Sequence, residues 1–462
     1  EIPLRLVGSE MCIRDRYKTA RYRTGVILVI LVCTMLCGCG EKKAIYDAAL
    51  GEKESGLKGS LSVPNVVSYT FDGNGDNTIS LNTENIIVPE TDSMKTVYYE
   101  EVTVDNAYKQ QIAEHIFEKD KGIYVYDGSS MSEDMLAEME AYYQKCIDIA
   151  MQQNDTNALS MYNDMFAEII EKKASAKELE AAGNYDVDVY IGYINGRLFL
   201  LDFTLQNGGF ELKRYAEELN AEMLSVENVT YAIAHTQYGE GVEQDLVQTN
   251  DLNVATLGKE EMVAQAEDFL KRIGITDAEV VETAASEWLC YDLVLGQNEP
   301  KTVYDGYYIT FADTVDGYSP YIGYFDFVES LNESGERKEG LTTQTYEVNI
   351  NDNGIIGVVC HDNYRRTGKV EDTKLLAWDD MLTVANDNIK NYYSNKKISG
   401  NITFNYVELS YYMEKLKDGS YALKPVWVFL SLDDMLITYH SDVYPNELLI
   451  IDAENGTPID IK

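Results

Sequence analysis

Apolar residues recur along this chain with two spacings, every second residue and about every 3.6 residues, and the two sort it into strands and helices. Ser68–Asp72 and Thr78–Leu81 flank the turn residues Gly73–Asn77 and predict a hairpin, with a further strand near Lys95–Val104. The spacing then changes. Tyr108, Ile112 and Ile116 share one face of a predicted helix near Asn106–Glu118. Ser130 followed by Glu133 reads as the capping box of a long helix carrying Leu136, Met139, Tyr143, Cys146, Ile147 and Ala150. A second helix carries Leu159, Tyr162, Met165, Phe166, Ile169 and Ile170, so an αα-hairpin is expected at about 130–175. Alternation returns in Val187–Ile194 and Arg197–Phe203 across Asn195-Gly196, a dipeptide that suits the positive φ angles of a type I′ turn.

The second half repeats one plan in pattern, though not in residue identity. Lys259–Ile273 reads as a helix with Glu260 and Glu261 in its first turn, Lys271 and Arg272 in its last, and Gly274 beyond. Strands are expected through Tyr291–Leu295, Tyr307–Ala312 and Tyr321–Phe327, then a hairpin of Tyr346–Ile350 and Ile355–Cys360 about Asn351–Gly354. Asp379–Tyr393 repeats the helix, followed by strands in Ile402–Met413, Tyr421–Leu432 and Leu448–Asp452. Strands and helices in separate runs imply an α+β fold of antiparallel sheets with packed helices, an inserted αα-hairpin and a helix-plus-strands unit used twice. The expected domains are residues 63–255 and 256–462, after a polar tether at 39–62.

The first residues change the picture of where this chain works. Leu6–Arg16 is similar to a translated sequencing adapter, so residues 1–16 are set aside from fold reasoning. Lys18, Arg21 and Arg23 then precede Gly25–Leu36, an apolar run shorter than the roughly 20 residues that cross a bilayer and within the range of a signal peptide core. Leu36-Cys37-Gly38-Cys39 resembles the bacterial lipobox. That resemblance implies a signal peptide at 17–38, cleavage before Cys39 and covalent diacylglycerol on its thiol. The chain would then sit on the outer face of the cell membrane, of a Gram-positive surface in the first instance.

Charge excludes some partners. Residues 1–38 hold six basic and three acidic residues of the chain's 38 and 78, which leaves −43 on the remainder. Nucleic-acid binding depends on Lys and Arg neutralising phosphates, so no nucleic-acid partner is expected. Three cysteines remain beyond Cys39. Cys146 falls on an apolar helix face, whereas Cys290 and Cys360 fall in strands with their pairing open; three thiols make no disulfide scaffold.

Two stretches carry a family resemblance: Val63-Pro64 through Tyr69–Asp72 to Ile87–Pro89, and Leu423–Phe429 followed by Leu449–Gly456 and Ile459-Asp460. Both resemble clostridial-type lipoproteins built around a domain of unknown function, and the C-terminal part resembles PepSY modules. The resemblance implies binding or inhibition rather than chemistry, and supplies no catalytic residues.

Catalytic signatures are missing. There is no His-Glu-x-x-His, Gly-x-Ser-x-Gly or P-loop, and His115, His235, His361 and His440 stand far apart, so no catalytic residue, metal site or cofactor is expected. Asp72, Asn74 and Asp76 have calcium-loop spacing, but Asn77 and Thr83 stand where such a loop needs Gly and Glu. Asp433-Asp434 reads as a solvated loop. The remaining cluster is aromatic: Tyr304, Tyr307, Tyr308, Tyr318, Tyr321 and Tyr324 interleave with Asp305, Asp313 and Asp316. Tyrosine faces edged by carboxylates suit a sugar ring or a basic peptide, and tyrosines equally cover sheets. Tyr307, Tyr308, Tyr318, Tyr321 and Tyr324 are therefore the candidate binding residues. The expected function is a non-enzymatic surface binding or interaction protein, engaging a surface protein, peptide or saccharide. The alternative is a solute- or wall-fragment-binding lipoprotein of a transporter or sensor, and the third reading is an extracellular hydrolase.

Overall fold

A computed structural model describes residues 45–46, 56–71, 78–128, 130–154, 156–205, 208–216, 231–235, 253–291, 301–320, 344–361, 363–394, 401–431 and 447–459. The chain divides into the units Glu1–Ile45 and Tyr46–Lys462, and the elements below belong to the second. Cys39 and the lipobox residues Leu36, Cys37 and Gly38 lie outside the described residues, as do Tyr321, Tyr324, Asp72, Asn74, Asp76, Asp433 and Asp434.

The strands in order along the sequence are β1 (Val67–Phe71), β2 (Ile79–Thr83), β3 (Ile86–Ile87), β4 (Met94–Glu101), β5 (Ile123–Val125), β6 (Val189–Ile194), β7 (Arg197–Asp202), β8 (Phe210–Arg214) and β9 (Tyr231–His235). There follow β10 (Ala278–Tyr291), β11 (Lys301–Asp313), β12 (Thr345–Asn351), β13 (Gly354–His361), β14 (Tyr364–Thr373), β15 (Ile402–Phe404), β16 (Tyr406–Lys415), β17 (Tyr421–Ser431) and β18 (Glu447–Asp452). The longer helices are α1 (Asn106–Ile116), α2 (Glu133–Gln153), α3 (Thr156–Lys173), α4 (Lys259–Arg272) and α5 (Trp378–Ser394).

Local chemistry explains the element ends. The N-cap of α2 is Ser132, whose hydroxyl accepts from the backbone N–H of Met135 at 3.2 Å; Ser130, the expected cap, donates to Asp127 instead. Asn154 ends α2 in the left-handed region, and α3 follows at once, which makes the αα-hairpin. The β6–β7 turn has Asn195 at φ 49 and Gly196 at φ 74, as a type I′ turn requires.

Three sheets result, and strands and helices stay segregated, which makes the fold α+β. The largest has nine strands in the order β9-β10-β11-β12-β13-β8-β7-β6-β5. A second runs β14-β4-β17-β16-β3 with β18 on β17, and a third contains β1-β2-β15. These sheets do not respect a division at residue 255/256. β5–β8 share the large sheet with β10–β13, and β4 pairs with both β14 and β17. The sheet order also settles the thiols: β11 and β12 separate Cys290 on β10 from Cys360 on β13, roughly 14 Å at strand spacing, too far for a disulfide. Cys146 is buried as its helical spacing implies.

Two cores carry most of the burial. In one, Trp378, Met381, Leu382, Ala385 and Ile389 of α5 pack on Tyr99, Leu409, Trp427, Phe429 and Leu449. The Trp378 and Trp427 rings meet edge to face at 5.0 Å, a contact worth about 1 kcal/mol beyond burial. In the other, Ile112, Ala113 and Ile116 of α1 and Met262, Ala266, Phe269 and Leu270 of α4 cover one face of the nine-stranded sheet.

A buried polar joint ties the two large sheets together. Arg366 on β14 donates from Nη2 to the Thr314 carbonyl at 2.7 Å and from Nε to the Tyr99 hydroxyl at 3.2 Å. Its Nε also lies 3.4 Å from Asp313 Oδ2 at the end of β11. Beside it Gln344 donates to the Tyr346 hydroxyl and to the Tyr364 carbonyl. Burial pushes the Asp313 carboxyl above the usual carboxylate range, and the Arg366 charge pulls it only part of the way back.

Two outcomes test this architecture. At Gly306, φ is +80 and a Cβ would stand 2.0 Å from the Ile350 carbonyl oxygen, whereas Gly317, at φ +83, has open space. Gly306→Ala therefore costs about 3 kcal/mol in urea unfolding and Gly317→Ala about 1–2 kcal/mol; equal costs would mean that the strand crossing at Gly306 is looser than described. The second outcome is pH-dependent. A carboxyl raised in the folded state adds stability that is complete below its unfolded value and is lost as pH rises through the folded one. Asp313→Asn removes that component, so the variant's stability falls less than the wild type's between the carboxylate range and neutral pH, in urea titrations at each pH.

Candidate functional site

Antiparallel pairing sends alternate residues of β10–β13 to opposite faces. Tyr307, Ile309 and Phe311 of β11 join Tyr346, Val348 and Ile350 of β12 in the core beneath α4. The other face takes the residues between them: Tyr308 and Thr310 on β11, Glu347 and Asn349 on β12, and His361 on β13. A face with this polarity is unusual this deep, because Thr310, Glu347 and Ser286 are all buried. Hydrogen bonds between neighbours on this face satisfy Tyr308, Glu347, Ser286 and Asn349. The Tyr308 hydroxyl donates to Glu347 Oε2, the diagonal neighbour on the next strand. His361 Nε2 lies 3.2 Å from the same oxygen, and the Ser286 hydroxyl donates to Asn349 Oδ1 at 3.0 Å. Toward the hairpin end the line continues with Asn351, whose amide donates to Asp305 Oδ2 at 2.8 Å.

The αα-hairpin covers part of this face. Cys146, Ile147, Ala150, Ala158 and Tyr162 of α2 and α3 pack on Trp288 and Val303, at one end of β10 and β11. Met135 packs on Ile191 and Leu198 of β6 and β7. The polar row runs from that footprint toward Thr345 and His361. Tyr308 and Glu347 are nearly inaccessible, while the His361 side chain is 22% exposed and stands at the edge of the row.

The tyrosine cluster is therefore divided. Tyr307 is 9% exposed and belongs to the core under α4, so it presents no ring to a ligand. Tyr308 is buried and committed to Glu347, and Tyr304 is buried on the same strand. Tyr318 is half-buried against the core under α5, and burial raises its hydroxyl pKa. The structure brings Tyr308 together with Glu347 and His361 instead, two residues outside the aromatic cluster. The signal for them was alternation: in β12 and β13 the polar side chains Glu347, Asn349 and His361 occupy one side of otherwise apolar strands. Among the described residues no group of three or more His, Cys, Asp and Glu could hold a metal ion, and no helix is long and apolar enough to cross a membrane.

Tyr308→Phe removes a charge-assisted donor from a buried carboxylate. It should cost about 1.5–3 kcal/mol in urea unfolding, and an unchanged midpoint would refute the pairing with Glu347.

No family model matches the chain, and no curated protein matches it. Among solved structures the chain is similar to an uncharacterized protein from Eubacterium rectale ATCC 33656, at 15% identity and a TM-score of 0.36, over 89% of this chain and 96% of that one. It is also weakly similar to the Bacillus megaterium YpeB C-terminal domain, at 11% identity and a TM-score of 0.22, over 79% of this chain and 98% of that one.

Proposed function

We propose that this chain is a lipid-anchored, non-enzymatic binding protein of the cell exterior, held by diacylglycerol on Cys39, and that it engages its partner at the His361 end of the polar sheet face. The carrying observation is the Tyr308–Glu347–His361 row, a buried carboxylate flanked by a phenol and an imidazole, with the imidazole at the solvent boundary. Such a row recognises donors and hydrogen-bonding groups: hydroxyls of a saccharide, or amides and amines of a peptide or a surface protein. The Tyr308 hydroxyl and the Glu347 carboxylate are buried against one another, which favours recognition over hydrolysis. The anchor rests on the lipobox resemblance of Leu36-Cys37-Gly38-Cys39 and on the basic-then-apolar segment before it.

The test is crosslinking on living cells with a tagged form of the protein, comparing wild type, His361→Ala and Cys39→Ser. The expected result is one captured surface component, lost in His361→Ala while that variant still unfolds cooperatively, and release of Cys39→Ser into the medium. Capture that persists undiminished in His361→Ala would remove the site, and retention of Cys39→Ser on the membrane would remove the anchor.

A further inference from the structure

Three Asn-Gly pairs are described, and the structure treats them differently. Such pairs are chemically fragile, because glycine leaves its own nitrogen open to attack the preceding amide carbon. At Asn195-Gly196 the nitrogen is occupied: the Gly196 N–H donates to Glu118 Oε1 at 2.9 Å. A carboxylate against that N–H also disfavours the deprotonation that attack requires. At Asn455-Gly456 both parties are held. The Gly456 N–H donates to the Asp452 carbonyl at 2.8 Å, and Asn455 Oδ1 accepts from the Thr457 N–H at 2.9 Å and from its hydroxyl.

At Asn353-Gly354, among the described residues, the glycine is held only by its place in the ladder, and the asparagine side chain is not held. Asn353 is exposed at the tip of the β12–β13 hairpin. Its backbone N–H donates to Asn351 Oδ1 at 2.9 Å, but among the described residues no hydrogen bond holds its side chain. Gly354 forms the last rung of the hairpin, opposite Asn351, and terminal rungs open most readily.

The neighbouring residue makes this tip matter. Asp352 Oδ1 accepts from the backbone N–H groups of Thr256 and Leu257 at 3.0 and 2.9 Å, and Oδ2 from the Thr256 N–H and hydroxyl at 2.8 Å each. Those residues lead directly into α4, whose N-cap Gly258 has no side chain to offer. Burial works against charge on Asp352, but these donors outweigh it and hold the carboxyl below its usual range.

We infer that Asn353 is a self-modification site, whose deamidation loosens the Asp352 clamp on the start of α4. The Gly354 nitrogen gives up its proton and bonds to Asn353 Cγ, the bond from Cγ to Nδ2 breaks, and Nδ2 takes up a proton and leaves as ammonia, which closes a cyclic imide. Water then opens the ring at either carbonyl, giving Asp or isoAsp. The isoAsp product runs the backbone through Cβ, so one more carbon enters the tight turn beside Asp352 and displaces its carboxylate from Thr256 and Leu257. The modification needs only water and time.

The experiment incubates the purified full-length protein at mildly alkaline pH and follows each Asn-Gly peptide by mass spectrometry, with enzymatic isoAsp methylation as a second readout. Hydrogen exchange of the Thr256–Met262 peptide is followed in parallel. The expected result is conversion at Asn353 well ahead of Asn195 and Asn455, with faster exchange at the start of α4 as isoAsp accumulates. Asn353→Gln should keep the fold, abolish conversion at that position and preserve the slow exchange. Asp352→Asn should show the fast exchange from the outset. An intact Asn353, or one converting no faster than Asn195, overturns the site; conversion without a change in exchange overturns its link to α4.

Discussion

Arg366 is the constraint on which the arrangement of the two large sheets depends. It reaches from β14, an edge strand of one sheet, to Asp313 and Thr314 at the end of β11 in the other. Its third partner, the Tyr99 hydroxyl, belongs to the core under α5. A guanidinium suits this place because its fixed fork of donors serves a carbonyl, a phenol and a carboxylate at once. Losing it would strand the Asp313 charge in a buried position, at a cost of about 2–3 kcal/mol, less than for a fully buried pair because the arginine side chain is 28% exposed.

Long-range strand pairing is why the chain does not fall into two successive domains. Consecutive strands pair locally in β6–β7, β12–β13 and β16–β17, as hairpins should. Yet β8 pairs with β13, and β4 with β14 and β17, across long stretches of sequence. Tyr99, Phe210 and Leu423, which lie on these strands, are buried.

The polar sheet face follows from the same need for cover. The αα-hairpin supplies apolar cover to that face where Trp288, Val303, Ile191 and Leu198 meet it. Where this cover ends, the side chains are polar and bonded in pairs, because an unpaired buried donor or acceptor costs about 1–3 kcal/mol. Glu347 is tolerated there because Tyr308 and His361 flank it from the neighbouring strands.

Local order was legible in the residues themselves. Helical spacing located α1 to α5 and the αα-hairpin, and Asn195-Gly196 set a two-residue turn, because these features depend on neighbours in sequence. β14 was not legible: half of Tyr364–Thr373 is charged and most of it is exposed, as an edge strand can be, and pairing with β4 makes it a strand. β10 was not legible: the strand expected at Tyr291–Leu295 shares only Tyr291 with it and otherwise lies outside the described residues, and the glutamates along Ala278–Tyr291 hide its alternation. The tyrosines were visible as a cluster, but composition could not say which rings face a core. Strand register decided that Tyr307 is buried under α4 and that Tyr308 meets Glu347 and His361, residues far along the sequence from it. Sequence determined what depends on the next few residues; tertiary structure decided what depends on partners brought together by folding.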